Sequence, residues 1–413
     1  MSRLRSILAM AALASLLIVI VPDSALAAGP STDGQKILGR APVKYGSGKT
    51  VRRSHNEAAI VARIWVPGLD EKFVPQGLTW ASPYVLVGGY IWDGSKQDNA
   101  VECRVYRIDP ETGETRGMFT LGPIARGALC KHAGGLAYAG RGILFVSDTH
   151  HVFKIDLEKA FKLGSVFNNE ALLARVELGG NGDDEVIGSF AAWSGKPSAQ
   201  SSHSAIRFAK PEAVGAAANP FLGGPVETAE NDSGASVQAA PVEAGKMPVI
   251  PVSSPLNGSL WLGRYTGGEN REKNTRIYEF PAALIDWANP ATRQVRTLTA
   301  ANASASLWIS AGAQGGAFDR DGNLWISRTV TRWLEKTSVL HKKDPKTGDI
   351  IAKYDILHGL EDLAFDDKGY LWIVSESGTW KYQDWRVFSR FRVIDDFYPL
   401  LIRIDVKRLK AYD

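Results

Sequence analysis

The side chains best able to do chemistry sit at matching places in a repeated phrase. Glu361 stands at the head of "LEDLAFDDKGYLWIVSESG" (Leu360–Gly378), and Gln314 heads "QGGAFDRDGNLWIS" (Gln314–Ser327). Counted four positions back from the aromatic of each such phrase, the equivalent residues are Gln76, Gly134, Ser189, Gln314 and Glu361. His132 lies just ahead of Gly134. Three positions past the second anchor stand Tyr90, Asp148, Arg264, Arg328 and Ser375, with Glu376 next. The chemistry these types allow is specific. Glu361, His132 and Asp148 are candidate acids and bases. The oxygens of Glu361, Gln76 and Gln314 are hard ligands of the kind calcium takes. Arg264 and Arg328 could together hold a carboxylate or phosphate, with Tyr90 and Glu376 beside the substrate. Structural alternatives stay open. Glu361 could pair with an arginine across the channel. His132 could hydrogen-bond within its loop, and Asp148 could cap a turn through its own backbone. The arginines could serve neighbours as salt-bridge partners.

A repeat of strands must position these residues. The two anchors lie seven positions apart at Phe365 and Trp372, Phe318 and Trp325, Tyr138 and Phe145, and Trp80 and Val87. A fifth first strand, "SFAAW" (Ser189–Trp193), finds its second strand far downstream in "SLWLGRY" (Ser259–Tyr265). Third strands follow as "CRVYRIDP", "HVFKIDL", "TRIYEFP", "SVLHKKDP" and "LLIRIDV". Fourth strands are expected at "TRGMFTLG", "ALLARVELGG", "RQVRTLT" and "DIIAKYDIL". The last repeat lacks a fourth strand, and "AIVARIWVPG" (Ala59–Gly68) precedes the first repeat without a partner. The pattern predicts an all-β fold, a β-propeller of four-stranded blades whose ring is closed by that N-terminal strand in the last blade. The count is five blades, or six if Lys196–Asn257 holds further strands. In this topology first-strand starts and second-strand exits meet at one mouth of the central channel, where convergent polar groups form a ligand site.

Domain organisation follows. Residues 1–27 read as a secretory signal peptide: Arg3 and Arg5, an apolar run from Ile7 to Val21, then "ALA" at Ala25–Ala27. That run is shorter than the about 20 apolar residues a spanning helix needs. The mature protein is therefore expected to be exported, to periplasm or medium, without a membrane span. Residues 28–57 form an irregular lead-in and 58–413 one propeller, interrupted by an Ala/Pro/Ser-rich insertion at 196–257. Export makes Cys103 and Cys130 a disulfide pair. The formal net charge of +4, without a compact basic tract, argues against a nucleic-acid partner. The 41 glycines and 12 tryptophans suit many turns and short strands. Exposed aromatics and arginines are expected over the mouth: Arg332 and Trp333, and in Ser377–Pro399 Trp380, Trp385, Arg386, Arg390 and Arg392.

"PQGLTW" and "LEDLAFDDKGYLWIVSESG" resemble blade openings of the SMP-30/gluconolactonase-like and phytase-like propellers. The resemblance implies calcium bound by Gln76, Gln314 and Glu361, and hydrolysis of lactones or esters. The chain departs from that pattern at Gly134 and Ser189. Two expectations follow. One is an exported, calcium-dependent hydrolase of lactones or esters bearing an acidic group, with Glu361 near the metal and His132 or Asp148 as proton acceptor. The other is a non-catalytic propeller that binds a small anion, a glycan or a protein partner on the same face.

Overall fold

In the computed structural model the described residues are 36–43, 51, 53–95, 100–123, 130–166, 170–195, 256–266, 275–285, 297–331, 336–383 and 397–412. The signal-peptide reading, nearly all of the 196–257 insertion, and Arg332, Trp333, Trp385, Arg386, Arg390 and Arg392 fall outside them.

The architecture is a five-bladed β-propeller, with one antiparallel four-stranded unit in each blade. The first blade runs Phe73–Ala81, Tyr84–Trp92, Ala100–Ile108 and Thr115–Pro123. The second uses Gly135–Tyr138, Ile143–Asp148, His151–Asp156 and Leu172–Leu178. The third uses Phe190–Ser194, Ser259–Gly263, Thr275–Pro281 and Ala305–Ile309, and the fourth Ala313–Phe318, Leu324–Thr331, Lys336–Lys343 and Ile350–Asp355. The fifth takes Leu360–Phe365, Leu371–Ser375 and Leu400–Ile404 from the end of the chain and Ile60–Trp65 from its beginning. That last pairing, Ile60 opposite Ile404 through Trp65 opposite Leu400, is the predicted closure. The first strands of the blades touch in a ring around the axis. Apolar faces that no single sheet could cover are buried between neighbouring blades, as where the Phe145 ring stacks on Trp193, centroids 5.8 Å apart, across the second and third.

The repeated phrase has a physical meaning in the last two blades. Asp319 takes the backbone N–H groups of Asp321 and Asn323 and, through its other oxygen, the Trp325 indole N–H at 2.9 Å. Asp366 does the same for Lys368, Tyr370 and the Trp372 indole at 3.1 Å. One carboxylate thus fixes both the hairpin turn and the buried tryptophan of the returning strand.

Two expectations need correction. "RQVRTLT" does not supply the fourth strand of the third blade. Thr297–Leu298 instead runs parallel to the outer strand of the second blade. Leu298 is buried in the core between these two blades, so this piece staples a seam, and the third blade is completed by Ala305–Ile309. The second correction concerns Tyr90. The first hairpin turns on Ser82 and Pro83 between paired Ala81 and Tyr84, whereas the fourth uses residues 319–323 between paired Phe318 and Leu324. The tighter turn shifts the return strand, so Gly89 takes the place of Arg328 and Tyr90 lies one residue further along. The lead-in also makes contact with the ring: Leu38 bridges to Ile64 on the closing strand.

Candidate functional site

The mouth residues owe their aim to β-bulges. Pairing shifts between Pro75 and Gly77, between Ala313 and Gly315, and between Leu360 and Leu363. The extra residues are Gln76, Gln314, and Glu361 with Asp362. A bulge breaks strict alternation and re-aims a side chain, so an inner strand can turn a polar group toward the channel.

At the axis lies Asp362, fully buried. One of its oxygens accepts the backbone N–H of Leu78 at 2.8 Å and of Leu136 at 3.4 Å. The other accepts those of Gly316 at 3.3 Å and of its own neighbour Leu363 at 2.9 Å. These four amides occupy the same place in four different inner strands. Burial pushes the Asp362 carboxyl well up, and the N–H donors pull the other way. The matching residues in the other blades are Gly77, Gly135, Phe190 and Gly315. A Cβ on Gly315 would stand 2.4 Å from the Asp362 Cα, so the glycine is what lets the two strands approach.

Above Asp362 sits a carboxyl pair. Glu361 is 4% exposed and Glu376 6%, and each carboxyl acts on the other's ionisation. The Gln314 amide N–H donates to Glu361 Oε1 at 3.1 Å, and the Gln76 amide N–H to Glu376 Oε2 at 2.7 Å. The Tyr382 hydroxyl donates to Glu376. Lys381 is buried and donates from Nζ to the Tyr90 hydroxyl at 2.6 Å. Burial, followed by the negative charge and hydrogen bond of Glu376, holds Glu361 well above the usual carboxylate range. Burial also raises Glu376, against the Lys381 ammonium and the Tyr382 hydroxyl. Two coupled buried carboxyls are costly to ionise together, and of the two Glu361 is pushed further up. Glu376 is set by the turn that follows the second strand. Its N–H donates to Gly359 at 2.9 Å. Gly359 has φ +68° and no room for a Cβ against Ser377.

This arrangement has a pH consequence. A carboxyl whose folded pKa is raised holds its proton longer in the native state than in the unfolded chain. Stability is then greatest below the unfolded value of about 4.3 and declines as pH rises through the interval up to the raised value. Glu361→Gln removes that interval. The melting temperature of the variant is expected to lose less than that of the wild type between pH 5 and 8, measured by calorimetry across that range. Equal slopes would refute a raised Glu361 carboxyl.

The other anticipated residues are placed differently. Asp148 is buried and accepts the backbone N–H groups of Lys131 at 2.9 Å and His132 at 2.7 Å. Both of its oxygens therefore clamp the loop ahead of the second blade, not its own turn. The His132 ring lies edge-on to Tyr90, centroids 5.3 Å apart. The same loop is tied down by the Cys103–Cys130 disulfide, and Cys103 is the strand partner of Tyr90. The bridge therefore holds His132 against the Tyr90–Lys381 side of the cluster. With the cysteines 27 residues apart, chain entropy alone predicts a loss of about 3.5 kcal/mol for the Cys103→Ser, Cys130→Ser double variant. Denaturant unfolding measures it, and an unchanged midpoint would contradict it. Arg264 ion-pairs with Glu185 at 3.5 Å, and Arg328 donates from Nε to the Ala311 carbonyl at 2.7 Å. Neither hydrogen-bonds to the carboxyl pair among the described residues.

The donor set suits internal hydrogen bonding better than calcium. Both glutamines turn their N–H groups to the carboxyls, and a buried lysine is part of the cluster. Calcium takes six or more oxygen ligands. Among the described residues no group of three or more His, Cys, Asp or Glu side chains could hold a metal ion.

Lys381, Tyr382 and Asp362 were not singled out in the sequence. A usable signal existed only for Asp362: the column after the mouth residues reads Gly, Gly, Phe, Gly, Asp.

No family model and no curated protein sequence matches the chain. Among solved structures, glutaminyl cyclase of Myxococcus xanthus is similar at 10% identity and TM-score 0.39, covering 88% of this chain and 99% of that one. A luciferin-regenerating enzyme is similar at 8% identity and TM-score 0.37, covering 85% and 97%. The PQQ-bound aldose sugar dehydrogenase of Streptomyces coelicolor is similar at 14% identity and TM-score 0.32, covering 73% and 74%. Likeness at this level carries no function across.

Proposed function

We propose that this chain is an exported propeller hydrolase of small esters or lactones, working by general acid–base catalysis at the channel mouth. The observation that supports it is the placement of two buried carboxyls at the mouth, Glu361 held by the Gln314 N–H and Glu376 by the Gln76 N–H, with Glu361 pushed the further up by burial and by its neighbour. Such a pair is an acid and a base in one place. The lactonase-like resemblance suggested the same reaction class by way of calcium; the donor set favours protons over the metal.

In the forward step the Glu376 carboxylate takes a proton from water as the water oxygen bonds to the substrate carbonyl carbon. Glu361 gives its proton to the carbonyl oxygen. In the second step the C–O bond to the leaving alcohol breaks, and that oxygen takes the proton now on Glu376. The carbonyl re-forms as one hydroxyl of the intermediate returns its proton to Glu361. Atoms and charge balance, and the pair ends as it began. Gln76 and Gln314 keep each carboxyl oriented through one amide N–H. A substrate's acidic group would meet Lys381, the cation of the cluster.

The test is a panel of esters and lactones assayed with and without a chelator. Turnover that a chelator leaves unchanged, with a rate that depends on one group deprotonated and one protonated, is the expected result. Turnover abolished by chelation and restored by calcium would overturn the metal-free route. No turnover of any panel member would favour a binding role at the same mouth.

A further inference from the structure

The fourth blade carries a row of basic side chains that the carboxyl pair does not use. Strand register places His341 opposite Ile326 and Lys343 opposite Leu324, Arg328 opposite Val339, and Lys353 opposite His341. Side chains alternate along a strand, so Arg328, His341, Lys343 and Lys353 share one face of the sheet. Leu324 and Ile326 of that face join Ile277, Leu307 and Ile309 of the third blade in one apolar core. The row therefore lies in the seam between the third and fourth blades.

His341 and Lys343 in this row are buried, and positive charge outweighs negative around them. His341 is 4% exposed and Lys343 5%. Among the described residues no side chain hydrogen-bonds or ion-pairs with Lys343, His341 or Lys353. Arg328 spends only Nε, on the Ala311 carbonyl. The contrast with the other face of the same strand is informative. There Lys342 has Asp319 at 3.1 Å and the Trp325 ring beneath it. The charges that act on His341 are those of Arg328, Lys343 and Lys353, all positive; with burial as the larger cause they push the imidazole down to about 3. The acidic group acting on Lys343 is Asp349, and Tyr412 acts on Arg328.

Burying several cations without an acceptor is costly. A fold keeps such a row at least cost when an anion completes it. The geometry points to a site for a phosphate-type oxyanion in this seam, held by the Arg328 guanidinium, the His341 imidazole and the Lys343 ammonium. Guanidinium, imidazole and ammonium all carry N–H groups that a phosphate oxygen accepts.

The probe is inorganic phosphate, titrated into the full-length mature protein against sodium chloride of matched ionic strength. Thermal unfolding is expected to rise by a few degrees in phosphate and not in chloride. Lys343→Met is expected to melt higher than wild type in phosphate-free buffer, because a repulsive buried charge is gone, and to gain nothing from phosphate. His341→Asn provides the same comparison if the first variant does not fold. In a parallel arm with glycerol phosphate, stabilisation by the monoester alone would assign the seam to an esterified phosphate, and stabilisation by both to the free ion. Equal melting of wild type in phosphate, monoester and chloride would overturn the proposal. So would a phosphate gain that survives both substitutions.

Discussion

Glu376→Gln is expected to lower hydrolysis of whichever ester or lactone the wild type turns over by two to four orders of magnitude, the usual worth of one positioned acid or base. The reason is local. An amide in place of the Glu376 carboxylate cannot take the proton of the attacking water, yet it fits the same space and can still accept from Gln76 and Tyr382. Glu361→Gln should fall by a similar factor for the opposite reason, since an amide cannot give its proton to the carbonyl oxygen. The two losses should not add, because each variant already breaks the acid–base unit. Stability separates this account from a structural one. Glu361→Gln leaves Glu376 opposite Lys381 and should melt no lower than the wild type at pH 7, whereas Glu376→Gln also takes the counter-charge from buried Lys381, so its rate is read against its melting temperature. Steady-state kinetics with calorimetry on the single and double variants decides it. A rate loss that tracks a fall in melting temperature would mean the pair only supports the fold.

Much of the ring was legible because blades obey a short-range rule. A strand, a turn and a strand recur at fixed spacing, so Phe318 and Trp325 announce the same hairpin as Phe365 and Trp372. The closing strand was legible because Ile60–Trp65 had a strand's composition and no local partner. What stayed hidden depended on geometry that spacing does not carry. A two-residue turn in the first blade moved Tyr90 by one position. The insertion around residues 196–257 and the excursion through Thr297–Leu298 obscured which segment completes the third blade. Glu376 was placed at the mouth by counting, but its coupling to Glu361 depends on a bulge, and bulges leave no period in the sequence. Lys381 and Tyr382 lie on a short helical turn, Trp380–Gln383, whose path back over the first blade is set by contacts alone.

Asp362→Asn should cost about 2 to 3 kcal/mol of stability and Asp362→Ala more, about 4 kcal/mol or above. Inner strands of a propeller are edges: one side pairs within the blade, and the other faces the axis with its amides unclaimed. Here the N–H groups of Leu78, Leu136, Gly316 and Leu363 converge on one carboxylate. Four blades are thereby tied to a point by a residue of the fifth blade's own inner strand. Asparagine has nearly the same volume, so its effect isolates the loss of acceptor from the opening of a cavity. Whichever way its amide turns, it faces an N–H with an N–H at one pair of donors. Alanine removes both acceptors and leaves four buried donors unpaired. Hydrogen exchange is the sharper readout than melting. In Asp362→Asn the amides of one donor pair, Leu78 with Leu136 or Gly316 with Leu363, should lose protection first, while amides in the outer strands, such as Arg107 and Lys154, keep theirs. If all amides lose protection together, the carboxylate is one stabilising contact among many. If Asp362→Asn melts with the wild type, the axis is held by apolar packing and the convergence of donors carries no weight. The expected pattern, local opening at the axis with intact blades, would also link the two layers of the channel. Asp362 adjoins Glu361 in the chain, so the bulge that presents the acid to the mouth is anchored by the carboxylate that ties the inner strands together.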